Sequence, residues 1–220
     1  MLSYLVVAWN RRNPTIVLNA GRESQLGIAA SAAGFTLSVD QSFGYCPQYI
    51  QKRNVSTEVN AHFAQDDFYP LAVNAKETVA MLKQADIFFI ASCSKALAND
   101  RQTGVDVSHR GGRPGFIKLD DNGNLIFPDF TGNNFFNTLG NIVADPRIGL
   151  SMPNFVSGST MWIIGEADIL WNPDQFGDFN GAQRFVKIKP TPILISKKAV
   201  LKSGTDVELS PKLSDTDIWI

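Results

Sequence analysis

The sequence has few of the residues that build metal centres and disulfide frameworks. It contains two cysteines and two histidines among 220 residues. Cys46 and Cys93 lie far apart and neither belongs to a CxxC pair, so neither a disulfide framework nor a zinc site is expected. We interpret both thiols as small buried residues, and the low cysteine content favours a reducing cytoplasm.

An excess of one charge, long apolar runs and the strong nucleotide motifs are also missing. The 20 Lys and Arg residues nearly balance 21 Asp and Glu, so nucleic acid is not the expected partner. No apolar run approaches the roughly 18 residues of a membrane span. The first residues are apolar and then basic, the reverse of a secretory signal. There is no P-loop lysine motif and no GxGxxG after a strand.

What is present is a series of short apolar runs of strand length, with few helical patterns. Helices are predicted at Asn74–Ala85, with Asn74 as N-cap, and at Phe135–Val143. Strands are predicted at Leu2–Trp9, Thr15–Asn19, Gly34–Gln41, Asp86–Ser92, Val105–Ser108, Ile148–Met152, Ser159–Leu170 and a last, proline-broken strand at Gln183–Ile188 and Pro192–Ser196. Many short strands with two or three helices favour a closed antiparallel barrel.

The stretch from Asp106 to Leu150 gathers polar residues where strands meet turns. In it, Arg110 and Arg113 stand among glycines and could fork onto phosphate oxygens. Residues 131–134 lead into the predicted helix, whose N-terminus offers N–H donors and partial positive charge. An anion could be held between the two, although a solvated loop and a simple helix cap are the alternatives. His109 has no Ser, Cys or carboxylate partner at a telling spacing, so the catalytic residues are unknown.

Three segments carry a resemblance to a known family: DVSHRGGRPGFIKL, FPDFTGNNFFNTLGNIVADPRIGL and WIIGEADI. In type and order they resemble the pyridoxamine 5′-phosphate oxidase-like, FMN-binding split barrels, and most of all the uncharacterised flavin/nucleotide-binding subgroup. The resemblance covers roughly Phe68 to Ile195. It implies a mainly β fold with a few helices, a six-stranded antiparallel split β-barrel, and a homodimer with FMN at the subunit interface.

The resemblance also implies a division of the chain. Residues 1–53 would be an N-terminal β segment, the remnant of a degenerate first half. Residues 54–200 would form the FMN-binding split barrel, and residues 201–220 a C-terminal tail. We expect the tail to be loosely held, unless Trp219 anchors it.

The same resemblance implies which residues hold FMN. Arg113 and Lys118 keep the spacing of the family's RxxxLK motif, with Ile117 in place of leucine, and would contact the phosphate and ribityl chain. The family's Arg-Lys pair at the following helix is replaced by Asn and Phe, so Arg110 or the helix N-terminus must compensate. The full set of cofactor-binding candidates is His109, Arg110, Arg113, Phe116, Ile117, Lys118, Pro128, Asp129, Asn133, Asn134 and Asn137.

The resulting hypothesis is a cytoplasmic, dimeric, FMN-dependent oxidoreductase with an unknown substrate and a small-molecule electron donor such as NAD(P)H. The C-terminal Arg motif of the vitamin B6 oxidase has no match, so B6 oxidation is not implied. One alternative is a non-catalytic flavin or haem binding or storage protein, in which His109 would be the residue to test. F420 in place of FMN, and a partner domain that has lost its ligand site, are also open.

Overall fold

The structure is a computed structural model, which describes residues 4–8, 15–19, 29–31, 34–36, 48–56, 68–94, 105–132, 134, 136–197 and 202–219. The chain divides into two compact units, residues 1–46 and residues 47–220. In the first unit, β1 (Tyr4–Ala8) pairs with β2 (Thr15–Asn19), and β3 (Ala29–Ser31) pairs with β4 (Gly34–Thr36), both antiparallel. The strands predicted near the start of the chain are therefore confirmed over these ranges.

The described residues of the second unit form ten strands, eight of them in one antiparallel sheet. The strand β5 (Lys52–Ser56) forms a separate ladder with the last strand, β14 (Lys202–Glu208). The sheet strands are β6 (Phe68–Leu71), β7 (Ile87–Cys93), β8 (Val105–Gly111), β9 (Lys118–Leu119), β10 (Leu125–Phe130), β11 (Arg147–Pro153), β12 (Thr160–Leu170) and β13 (Ala182–Ser196). Their order is β8-β7-β11-β12-β13-β10-β9, with β6 paired to the end of β13.

The predicted class, a mainly β split barrel with few helices, is confirmed. Six of the eight strands in this sheet have six or more residues, and they match the predicted six; β6 and β9 are short additions. The sheet is curled, because the rings of Phe88 on β7 and Phe127 on β10 lie 4.9 Å apart although their strands are not neighbours in the sheet order. The concave face therefore encloses the core.

The longest strand, β13, runs without a break through the two prolines predicted to interrupt it. Its pairing with β10 ends at Ile188, and its pairing with β6 starts at Ile193. Pro190 and Pro192 lie between these two ladders, where no N–H is required on that side. On the other side, a Cβ at Gly165 would lie 2.4 Å from the Lys189 carbonyl oxygen. The register of β12 against β13 also shifts at this glycine, which marks a β-bulge or irregularity.

Two α-helices cover the sheet, α1 (Lys76–Gln84) and α2 (Asn137–Ala144). The prediction that Asn74 caps α1 is wrong. Ala75 takes the N-cap position without a side-chain bond, and Thr78 Oγ1 donates to the Ala72 carbonyl at 2.8 Å. The second helix begins two residues later than predicted, after Phe136. Within the described residues, no helix is both long and apolar enough to cross a membrane.

Candidate functional site

The candidate site residues lie on both faces of β10, because successive side chains of a strand point to opposite faces. Phe127 and Asp129 point to the core face, and Asp129 is the direct partner of Arg184 on β13. Ile126 and Pro128 point to the other face, where Lys118 on β9 pairs with Ile126. We call these the inner and outer faces of β10. The predicted site is therefore divided between them.

On the inner face, Asp129 binds two arginines. Arg110 Nη1 lies 2.6 Å from Asp129 Oδ1, and Arg184 Nε lies 3.5 Å from Oδ2. Arg110 comes from the edge strand β8, which shares no ladder with β10 in the described sheet. The ion pair therefore joins two strands across the concave side. The side chain of Asp129 is only 8 % exposed, so this inner cluster is largely withdrawn from water.

Two aromatic rings lie beside Arg184 of the inner cluster. The Arg184 guanidinium lies 5.1 Å from the centroid of the Phe136 ring and 5.8 Å from that of Trp171. Both rings are exposed. Such cation–π contacts stabilise by about 0.5–1 kcal/mol at exposed sites. They hold Arg184 in a fixed orientation next to the start of α2.

On the outer face, the end of the chain covers the turn that contains Arg113 and Lys118. We call residues 213–219 the C-terminal clasp. An Arg113 guanidinium nitrogen donates to the Thr216 carbonyl, and the Trp219 N–H donates to the Gly115 carbonyl at 3.0 Å. Lys118 Nζ lies 5.0 Å from the centroid of the Trp219 ring. The expectation of a loose tail is therefore wrong, and the anchoring by Trp219 is confirmed.

The clasp is fixed by aromatic packing as well as by hydrogen bonds. The Trp219 ring lies 4.7–5.5 Å, between centroids, from Phe176, Phe179 and Phe185. Its indole N–H donates to the Phe116 carbonyl at 3.1 Å. Phe185, on the outer face, is fully buried as a result.

The two clusters differ in how their charges are balanced. Within the described part of the chain, no carboxylate oxygen lies within 4.0 Å of a charged nitrogen of Arg113 or Lys118. Their partners are a neutral carbonyl and a ring face. Within the described residues, the Nε atoms of Arg113 and of Arg110 are both buried without a hydrogen-bond partner, so it is the absence of a nearby carboxylate that sets Arg113 apart. This arrangement is suited to an anion, which would supply both the missing charge and the missing acceptor.

The two glycines between Arg110 and Arg113 are closely approached by other residues of the protein. A Cβ at Gly111 would lie 2.1 Å from the Tyr49 carbonyl oxygen, and one at Gly112 would lie 2.3 Å from the Phe116 ring. Gln51 Nε2 donates to the Gly112 carbonyl at 3.2 Å. The absence of a side chain at both glycines therefore serves packing, whereas the sequence had suggested room for a ligand.

His109 lies apart from Arg110, on the opposite face of β8. Its ring packs edge-on against Phe89, with centroids 5.7 Å apart. Burial, followed by the positive charges of Arg110 and Arg53, lowers the pKa of His109 to about 4. The imidazole is therefore neutral near pH 7.

The remaining candidates fall into three groups. Phe116, Ile117 and Pro128 are buried, so only their main-chain groups could meet a ligand. Asn137 is the first residue of α2, and Asn134 has a positive φ of 62° just before it. Asn133 lies outside the described residues.

The set of cofactor-binding candidates omits the clasp and omits Arg184, which the sequence offers only as a residue that could serve the flavin or the subunit interface. For Arg184 a signal existed, because it alternates with Val186 and Ile188, which line the buried face of β13. An arginine in register with two buried aliphatic residues must have a partner inside. For the clasp no local pattern exists, since its contacts join residues about 100 positions apart.

No protein-family model and no curated protein matches the chain. Among solved structures, HupZ from Group A Streptococcus is 12 % identical with a TM-score of 0.42, over 59 % of this chain and 98 % of that one. A proposed pyridoxamine 5′-phosphate oxidase from Lactobacillus delbrueckii is 14 % identical with a TM-score of 0.40, over 54 % of this chain and 91 % of that one. The FAD binding protein from Mycobacterium smegmatis is 12 % identical with a TM-score of 0.39, over 62 % of this chain and all of that one.

Proteins of the kind that the sequence resembles are thus among the similar structures. At identities of 11–14 % and TM-scores of about 0.4, the likeness establishes neither family membership nor function.

Proposed function

We propose that this protein binds FMN and acts as a flavin-dependent oxidoreductase whose substrate is unknown. The observation that carries the proposal is the pair of cations on the outer face, Arg113 and Lys118, whose described partners are all neutral. A phosphate monoester carries about −1.5 to −2 charges at neutral pH and three acceptor oxygens, which matches two such cations.

In this proposal Arg113 and Lys118 hold the flavin phosphate. Arg113 also has a buried Nε donor without a partner, which a phosphate oxygen would satisfy. Arg110 was predicted to join them, but it forms an ion pair with Asp129, a carboxylate that it shares with Arg184. We therefore assign Arg110 a positioning role: it fixes β8, and with it the turn that starts at Gly112.

The remaining candidates would complete the flavin site through uncharged groups. Main-chain groups at Ile117, Pro128 and Asp129 would border the ring system, and Asn134 and Asn137 would donate hydrogen bonds near the start of α2. The bound flavin would supply two-electron redox chemistry, and the protein would supply binding, orientation and control of solvent access. Hydride transfer to a flavin requires no acid or base from the protein, which is consistent with the neutral state of His109.

The proposal includes a homodimer with FMN at the subunit interface. The exposed rings of Phe136 and Trp171, 46 % and 61 % exposed, support an interface beside the inner cluster. A homodimer would bury such aromatic side chains, which are enriched in interfaces. Sedimentation of the FMN-saturated protein at the mass of one chain would contradict this part.

The experiment is a titration of the protein with FMN, followed by quenching of the flavin fluorescence. We expect binding, and we expect Lys118→Gln to weaken it by about tenfold or more, since a hydrogen bond to a charged group contributes about 1.5–3 kcal/mol. The matched control is Lys189→Gln, an exposed lysine on β13, which should leave the dissociation constant unchanged. Failure of the wild-type protein to bind FMN at millimolar concentrations would refute the proposal.

A non-catalytic flavin-binding or storage role is the alternative. NADH and NADPH separate the two roles. If the protein is an oxidoreductase, one of these nucleotides should reduce the bound flavin under anaerobic conditions and bleach its visible absorbance. Tight FMN binding without reduction by either nucleotide would favour the storage role.

A further inference from the structure

We propose that the C-terminal clasp is an intramolecular gate of the flavin phosphate site, which must open for the phosphate to bind. The inference rests on the proposed function, because it concerns the same two cations. It adds a regulatory element that competes with the ligand.

The first argument is that the clasp occupies the donors that a phosphate would need. The Arg113 guanidinium donates to the Thr216 carbonyl, and Lys118 lies over the ring of Trp219. The ligand and the clasp would thus use the same nitrogen atoms. A phosphate that takes both side chains would displace the Thr216 carbonyl and draw Lys118 away from the Trp219 ring, so binding and clasp closure compete at these two side chains.

The second argument is that the clasp satisfies these cations only in part. A carbonyl oxygen and an aromatic face are neutral, so they leave both positive charges without the counter-charge that a phosphate would supply. The Nε atom of Arg113 stays without a partner when the clasp is closed. A dianionic phosphate is therefore the better partner for both residues and can displace the clasp.

The third argument is that the clasp can be released without dismantling the sheet. Its backbone is held by few bonds to the barrel, among them Trp219 N–H to the Gly115 carbonyl and Asp217 N–H to the Asn180 carbonyl at 3.2 Å. None of its residues belongs to a strand. Its opening would leave β9, β10 and β13 paired as they are. It would expose the Trp219 ring and Phe185, and phosphate binding must offset this cost.

The consequence is that the apparent affinity for FMN equals the affinity of the open form multiplied by the fraction of molecules in which the clasp is open. By linkage, FMN must in turn weaken the clasp. Both effects can be measured on the full chain.

The test is a disulfide that locks the clasp. The Cβ of Ile218 lies 3.6 Å from the position that a Cβ at residue 115 would take, which is within the range for a disulfide. We would combine Gly115→Cys and Ile218→Cys with Cys46→Ala and Cys93→Ala, so that only one disulfide can form. The oxidised form and the reduced, desalted form of the same protein are then matched, including any strain from the positive φ of 94° at Gly115.

We expect the oxidised form to bind FMN at least about tenfold more weakly than the reduced form. A second readout is hydrogen exchange of the Trp219 amide in the wild-type protein, which FMN should accelerate. Equal FMN affinity in both redox forms, or protection of the Trp219 amide by FMN, would overturn the gate while leaving flavin binding intact. Absence of FMN binding in the wild-type protein and in both redox forms would overturn the proposed function, and the gate with it.

Discussion

The two faces of β10 differ in how they use cationic side chains. On the inner face, Arg110 and Arg184 share the carboxylate of Asp129 and tie β8 to β10 and β13. On the outer face, the partners of Arg113 and Lys118 among the described residues are a carbonyl and a ring. The difference teaches that the presence of arginine does not identify an anion site. The position of the nearest carboxylate separates a structural cation from one that is available to a ligand.

The largest expected effect comes from removing both outer-face cations. The double variant Arg113→Gln, Lys118→Gln should weaken FMN binding by about 3–6 kcal/mol, which is more than a hundredfold, because two charge-assisted interactions are lost. Arg110→Gln should weaken it less than about tenfold. Fluorescence titration of the three proteins measures the ratio. If Arg110→Gln weakens binding as much as the double variant does, the phosphate lies on the inner face.

The next effect concerns stability and the inner face. Asp129→Asn keeps the shape of the side chain but leaves Arg110 and Arg184 together without their counter-charge. Removal of one partner from a buried ion pair destabilises strongly, and we expect a loss of about 3 kcal/mol in the free energy of unfolding. Urea denaturation measures it, with Asp168→Asn, an exposed carboxylate on β12, as the control. A loss below about 1 kcal/mol would mean that solvent already screens the cluster.

The contrast between the faces could be read only in part from the sequence. Strand positions and the barrel class follow from apolar runs of period 2, which are local, and Thr15–Asn19 was predicted to the residue. Arg113 and Lys118 were singled out by the resemblance to the family's RxxxLK motif, and their role as site residues stays a prediction. Which face each residue occupies depends on the ladder register, such as the pairing of Asp129 with Arg184 and of Lys118 with Ile126. Short-range patterns do not contain that register.

The helix starts and the clasp explain the remaining errors. Asn74 has the chemistry of a cap, but Ala75 takes the N-cap position and α1 begins at Lys76. In the same turn, Thr78 Oγ1 donates to the Ala72 carbonyl. The clasp has a polar composition typical of a tail. Its order comes from Trp219, whose ring fits among three phenylalanines brought together by a 3-10 turn and β13. The sequence offers Trp219 as a possible anchor, but the rings that receive it come together only once the sheet is assembled.

A third prediction concerns the pH dependence of stability that the lowered pKa of His109 causes. Its pKa is lowered from 6.5 to about 4 by burial and by the arginines Arg110 and Arg53. The unfolded chain therefore binds a proton that the folded chain excludes. The free energy of unfolding is therefore highest above pH 6.5, where neither state binds this proton. It falls by about 2 kcal/mol, for a partly buried ring, as the pH falls towards about 4.

Urea denaturation at several pH values checks this dependence, with His109→Gln as the variant in which that part of the slope should vanish. Asp129→Asn should depress the pKa of His109 further, because one negative charge near Arg110 is removed. A slope that is the same in wild type and His109→Gln would show that other groups cause it.

The smallest effect is expected on the outer face, for the stability of Lys118→Gln in the absence of any ligand. The only described partner of the Lys118 charge is the Trp219 ring, at 5.0 Å, and such a contact stabilises by about 0.5–1 kcal/mol. The free energy of unfolding should therefore fall by less than about 1 kcal/mol, against about 3 kcal/mol for Asp129→Asn on the inner face. Added FMN should then widen the difference in free energy of unfolding between wild type and Lys118→Gln, since a tighter ligand stabilises the folded state more. A large loss without ligand would mean that Lys118 is as structural as Arg110, and the distinction between the faces would fail.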